Sequence, residues 1–247
     1  MKDKKADNRY LVVPNYVIQK SCADTPYVLP VFLLLGVKAD YSENNVVDTN
    51  IALIRETFIN SSRDWEQNRE IKEVLKLLGR HDFGPLIEYR YKMDDVKPET
   101  RLQCFFISGQ MHYNDGYTII DFKEFLYLSD WAYAKENERT SKDKLINSLL
   151  LINLYCYMKM KIQQFENLTK YTRKKGASDF YCMNESVNTI AEYFNKGNRT
   201  ISRYLGILED LGFIRKITLQ EQVSFGKSHN PDKKIGWALN DKWEEYY

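Results

Sequence analysis

The sequence predicts a mainly α-helical fold with small β wings, organised as two tandem modules over residues 1–110 and 111–247. Three observations predict it. Apolar residues recur at helical spacing through long segments of both halves. The strand-like stretches come in pairs that close each half. The order of elements repeats, each half reading helix, short strand, helix, helix, two-stranded wing, although few residues are shared between the copies. Hydrophobic residues at 43% and charged residues at 28% suit a folded chain, and the 14% aromatic content supplies apolar surface to offset ordering entropy.

In the first half, YLVVPNYVI (10–18) reads as a short strand or extended lead-in, limited by Pro14. Residues 27–39 are apolar enough for a buried helix that starts at Pro30. Asp48 or Thr49 is expected to cap the next helix, whose Ile51, Ile54 and Phe58 share a face. Residues 61–79 predict an amphipathic helix with Trp65, Ile71, Val74, Leu75 and Leu78 inward and Gly79 as its stop. Residues 85–93 and 101–107 then read as an antiparallel pair. A polar bridge, SGQMHYNDG (108–116), marks the expected boundary between modules.

The second half opens with YTIIDFKEFLYL (117–128), which repeats the pattern of residues 10–18. After a charged link, helical periodicity runs through Leu145, Leu149, Ile152, Tyr155, Met158, Ile162 and Phe165. A basic loop with Arg173, Lys174 and Lys175 precedes the short strand FYCMN. Two helices follow, then the strand-like ITLQEQVSF and KIGWAL.

Residues 188–216, NTIAEYFNKGNRTISRYLGILEDLGFIRK, carry the clearest functional signal. Ile190, Ala191 and Phe194 give the first helix its apolar face, and Ala191 is small enough for a second helix to approach. Asn195-Lys196-Gly197 forms the turn, with the glycine expected to take positive φ. In the second helix Ile201, Leu205, Leu208 and Leu211 make one inward stripe. The opposite face shows Asn198, Arg199, Ser202, Arg203 and Gly206, and no acid lies between Glu192 and Glu209. Arg and Asn read base edges bidentately, while Ser and Thr bond phosphates. Gly212 ends the helix, and the tip at 226–234 places Lys227, Lys233 and Lys234 within reach of a neighbouring phosphate.

The string G-N-R-T-I-S-R-Y-L-x-x-L-E-x-L-G-F-I resembles the recognition helix of the winged helix-turn-helix superfamily. Two such modules in one chain look similar to tandem winged-helix initiators of plasmid and phage replication. The resemblance implies binding of double-stranded DNA through Lys196, Asn198, Arg199, Thr200, Ser202 and Arg203, with Lys227, Lys233, Lys234, Arg173, Lys174 and Lys175 on the backbone. It also implies self-association or an auxiliary DNA contact for the first module, and partners in the replication or transcription machinery. The alternatives are a transcriptional regulator of a mobile element and a protein-interaction module that binds no DNA.

Charge distribution fits the second module as reader. The chain carries a net +2, but residues 170–234 hold 12 basic against 7 acidic side chains, and residues 1–117 hold 16 against 17. The helix at 61–79 shows Arg63, Gln67 and Arg69 accompanied by Asp64, Glu66, Glu70 and Glu73, and acids repel phosphate.

Motifs for catalysis fail on spacing, so no enzymatic activity and no cofactor are expected. Gly226-Lys227-Ser228 lacks the upstream glycine of a phosphate loop, because residue 221 is Glu. His81, His112 and His229 are not paired for a nickase metal, and Cys22, Cys104, Cys156 and Cys182 are too scattered for zinc. Asp94-Asp95 and Glu244-Glu245 are adjacent carboxylates suited to a solvated turn and tail. No signal peptide or membrane span is recognised, so the expectation is a cytoplasmic protein with reduced thiols and no membrane partner.

Overall fold

A computed structural model describes residues 9–23, 25–40, 44–60, 62–83, 85–107, 116–138, 140, 144–163, 168–171, 180–183, 185–219 and 234–240. Among these residues the fold is a helix-dominated mixture of eight α-helices with three small antiparallel sheets. The chain forms two compact units, Met1–Cys156 and Tyr157–Tyr247.

The first unit begins with β1 (Tyr10–Pro14), which passes directly into α1 (Asn15–Ala23). The apolar α2 (Val28–Lys38) follows, buried from Val28 to Gly36. Next come β2 (Val46–Thr49), α3 (Ile51–Thr57), α4 (Asp64–Leu78), β3 (Ile87–Tyr89) and β4 (Leu102–Phe106), with a sheet order of β2-β4-β3. Then β5 (Tyr117–Asp121) leads straight into α5 (Phe122–Asn137), capped by Asp121, whose Oδ1 accepts from the Lys123 amide at 2.8 Å. The long α6 (Ser148–Gln163) contributes Ser148–Cys156 to this unit and Tyr157–Gln163 to the next.

Several expectations are corrected. The boundary at 110/111 gives way to a division after Cys156, because β5 pairs antiparallel with β1, Val12 opposite Ile119. Thr118 of β5 also donates through Oγ1 to Oδ1 of Asn15, the first residue of α1, in a buried 2.7 Å bond. Asn153 of α6 donates to the Pro26 carbonyl at 2.7 Å, and Ser21 donates to Asn153 Oδ1 at 2.9 Å, which anchors residues past 110 in the first unit. Residues 10–18 and 117–128 do share a pattern, strand running into helix, but the two strands pair with each other within the first unit.

Asn50 caps α3, its side chain accepting from the Leu53 amide, while Asp48 and Thr49 belong to β2. Trp65 is 55% exposed instead of inward, and Gln67 takes the buried place, receiving the Tyr27 hydroxyl at 3.0 Å and donating to the Ser62 carbonyl at 2.7 Å. The helix expected from Leu145 starts at Ser148, and Phe165 lies outside the described residues.

The second unit takes the end of α6, then β6 (Leu168–Tyr171), β7 (Phe180–Met183), α7 (Val187–Tyr193), α8 (Asn198–Asp210), β8 (Ile214–Leu219) and β9 (Lys234–Leu239). Its sheet order is β6-β7-β9-β8. The connection rule of the first unit recurs. In each unit a strand precedes a pair of helices, two further strands follow, and the last strand lies between the other two. Only β6 is added, on the outer edge. The core between helices and sheet is formed by Met183, Ile190, Phe194, Ile201, Leu205, Leu208, Phe213 and Trp237, all buried.

Candidate nucleic-acid interface

Two side chains from α6 and one from the loop before α7 set the floor on which the α7–α8 pair stands. The Tyr157 ring lies 4.7 Å from Tyr193 and meets Phe194 edge-on at 5.4 Å. Its hydroxyl donates to Glu185 Oε2 at 2.6 Å, and Lys161 Nζ lies 3.1 Å from Glu185 Oε1. The buried tyrosine therefore keeps its polar end satisfied while its ring packs under α7.

Ser186 caps α7 by accepting from the Thr189 amide at 3.1 Å. Ile190, Ala191 and Phe194 are buried, as their spacing predicted. The turn differs in one detail. Asn195 takes the left-handed conformation, φ 48°, whereas Gly197 sits at φ −72° as the N-cap of α8. Asparagine tolerates that region because its short side chain can hydrogen-bond locally. The Lys196 amide donates back to the Ala191 carbonyl at 2.9 Å and closes the turn.

On α8, Ile201, Tyr204, Leu205 and Leu208 are buried. Tyr204 joins the inward stripe and Leu211 becomes the half-buried C-cap residue, with Gly212 at φ 75° ending the helix. Residues 199, 202, 203 and 206 are three, four and seven positions apart, so they share the outward side. Lys196, Asn198, Arg199 and Ser202 are exposed, and Thr200 and Arg203 are half-buried. Arg199 makes no hydrogen bond or ion pair among the described residues. The Arg203 guanidinium lies over the Tyr204 ring, 5.4 Å from its centroid. Asn198 Nδ2 donates to Asn188 Oδ1 at 2.6 Å, which ties the first turn of α8 to the first turn of α7. Asn188 was missed in the sequence, because a bond between residues ten apart across a turn leaves no periodic trace.

Lys227, Lys233, Arg173, Lys174 and Lys175 lie outside the described residues. Lys234 opens β9 at the end of the wing, and its side chain is likewise outside the description.

The charge order along α8 is unusual for a helix. Its first turn carries no acid, its last turn no base, and its two acids, Glu209 and Asp210, stand at the C-terminal end. Cations at the positive end and acids at the negative end each oppose the helix dipole, by about 0.3–1 kcal/mol at exposed positions. The corresponding α4 obeys the dipole, with Asp64 and Glu66 in its first turn and Lys76 in its last. Counted from their caps, Arg63 and Gly197, the two helices bury equivalent positions: Gln67, Ile71 and Val74 in one, Ile201, Leu205 and Leu208 in the other. Trp65 thus stands where Arg199 stands, with the Arg69 guanidinium 5.3 Å from its ring centroid.

The cations around α4 are also engaged at home. Lys76 pairs with Glu73 at 2.8 Å and with Asp94 of the β3–β4 connector, Arg55 with Asp64 at 3.3 Å, and Arg101 with Asp48. The bond from Lys76 holds the Asp94 carboxyl below its ordinary range, and the bond from Arg101 does the same for Asp48. Among the described residues, the cations Lys76, Arg55 and Arg101 are thus paired within the first unit, whereas Arg199 of α8 has no ion pair.

No group of three or more His, Cys, Asp or Glu residues suited to a metal occurs among the described residues. Cys22, Cys104 and Cys156 are buried thiols, and burial pushes the Cys104 thiol up to about 11. No described helix is long and apolar enough to cross a membrane. Comparisons with family models, with curated proteins and with solved structures give no match.

Proposed function

We propose that the chain is a sequence-specific double-stranded DNA-binding protein, built of two tandem winged helices, in which α8 enters the major groove. The observation that carries the reading is the outward side of α8. There Arg199 stands exposed with no hydrogen bond or ion pair among the described residues, at a helix end whose dipole already favours anions and whose first turn contains no acid. At the other end Glu209 accepts from the Lys216 amide at 3.1 Å, but among the described residues nothing offsets the cation at the amino terminus, whereas a polyanion would.

An α-helix about 10–12 Å across fits a major groove about 12 Å wide. Lys196 and the α8 amino terminus would meet phosphate, Arg199 and Arg203 would reach base edges, and Asn198, Thr200 and Ser202 would supply further hydrogen bonds. The wing lysines and the 173–175 loop would add backbone contacts. Recurrence of one sheet order in both units supports the tandem reading and, with it, a replication initiator of a plasmid or phage acting in the cytoplasm by binding rather than turnover. The first unit, where Lys76, Arg55 and Arg101 around α4 are paired with acids, is assigned to self-association or contact with replication or transcription proteins.

Salt titration of duplex binding tests this. Log affinity is expected to fall linearly with log salt, by about 0.9 for each phosphate neutralised. A flat response, or no duplex binding at low salt, contradicts DNA binding and favours the interaction-module alternative. Replication of an origin-bearing plasmid that depends on the gene separates initiator from transcriptional regulator.

A further inference from the structure

Gly206 is the ninth of thirteen residues in α8, on the outward side with Arg199, Ser202 and Arg203. After proline, glycine is the residue least suited to a helix interior, because it has the most backbone freedom to lose. Such a glycine is ordinarily accounted for by close packing or by positive φ. Neither holds here. Beyond its chain neighbours and the backbone of its own helix, a Cβ built on Gly206 would meet no described atom within 4 Å, and the position is absent from the positive-φ glycines. The contrast within the same protein is sharp: a Cβ on Gly36 would lie 2.4 Å from Leu11, and one on Gly79 2.7 Å from the Tyr89 ring. Those two glycines answer to the fold. No described neighbour accounts for Gly206 in that way.

The side chains beside it indicate what does. Arg199 and Arg203 are long and Ser202 is short, so the helix surface has a notch at Gly206 with cationic side chains toward its amino-terminal side. We infer that Gly206 is a specificity-determining contact at which the backbone of α8 touches the DNA, the missing side chain letting the helix lie deep enough for Arg199 and Arg203 to reach base edges. This rests on the DNA-binding reading and adds to it a steric rule: position 206 excludes side chains for the sake of the duplex, not of the protein. At the equivalent position of α4, nine residues past the cap, stands Lys72, whose Nζ donates to the Asp94 carbonyl at 3.2 Å, so the first unit carries no such notch.

The test uses the full chain and a duplex selected by the wild-type protein from a random-sequence pool. Gly206→Ala and Gly206→Gln are compared with wild type for thermal midpoint and for affinity. The expected result is a midpoint equal to or above wild type for both, since each residue suits a helix better, together with affinity reduced by about tenfold or more, Gln losing more than Ala. The salt slope should stay close to wild type, because phosphate neutralisation is not what the added atoms disturb. Wild-type affinity in both variants overturns the inference while leaving DNA binding intact. Absence of salt-dependent duplex binding by the wild-type chain, or an unchanged affinity in Arg199→Ala, overturns the functional reading and this inference with it.

Discussion

Asn198 Nδ2 donates to Asn188 Oδ1 at 2.6 Å, so the first turns of α7 and α8 are latched by one amide pair at the exposed end of the helix pair. An exposed neutral bond of this kind contributes about 0.5–1.5 kcal/mol at most. Asn188→Ala is therefore expected to lower stability by no more than about 1 kcal/mol. Affinity for the selected duplex should fall by more than that stability change accounts for, because the Asn198 amide then has no fixed orientation. Urea unfolding beside a binding titration measures both.

Glu185 receives the Tyr157 hydroxyl and the Lys161 ammonium at once. Glu185→Ala leaves a buried hydroxyl and a half-buried cation without their shared acceptor, which should destabilise the second unit by about 1–3 kcal/mol. Tyr157→Phe should cost less, about 1 kcal/mol, since the ring contacts with Tyr193 and Phe194 survive. Equal losses in the two variants would show that the Lys161–Glu185 pair adds nothing beyond the tyrosine hydroxyl bond.

Much of the outward face of α8 was legible. Ile201, Leu205 and Leu208 announce the buried side of α8 by spacing alone, and the outward residues follow by subtraction. The failures have physical reasons. Trp65 was placed inward because it is apolar, yet it lies six residues before Ile71, about 120° away round the helix. Gln67 was taken as exposed because it is polar, but Tyr27 and Ser62 satisfy its amide inside the unit. The positive-φ residue of the turn was assigned to Gly197, although Asn195 can adopt it and does. The unit boundary was hidden because pairing of β1 with β5 joins residues more than a hundred positions apart, which no local pattern reports.

Tyr27 is fully buried, and burial pushes its hydroxyl up to about 12. The unfolded chain ionises near the ordinary value of 10 while the folded chain stays neutral. The contribution is thus whole below pH 10 and is lost as pH rises from 10 through about 12, a loss of order 3 kcal/mol. Stability of the first unit should drop over that window, and Tyr27→Phe should make the drop smaller, the remainder coming from other buried groups such as Tyr155 and Cys104. Alkaline titration followed by tyrosinate absorbance and circular dichroism checks this.

Asp48 and Asp94 both have folded values lowered by their cationic partners, from 3.8. Their stabilising contribution is present above that value and is lost as pH falls through the lower folded values. Asp94→Asn should flatten the acid limb of the first unit's stability and remove one of the two acids that engage Lys76. The same variant should bind non-sequence-specific duplex slightly better at low salt, as one more cation becomes available to phosphate. An unchanged acid limb would show that the Lys76–Asp94 pair is too well solvated to matter.

Arg199 offers the most direct test, because it is an exposed cation on α8 with no hydrogen bond or ion pair among the described residues. Selection of duplex sites by wild type and by Arg199→Ala, with affinities measured at matched salt, should show a loss of about 1–3 kcal/mol and relaxed preference at one base pair. An identical selected site bound with identical affinity would contradict the assignment of α8 as the reading helix.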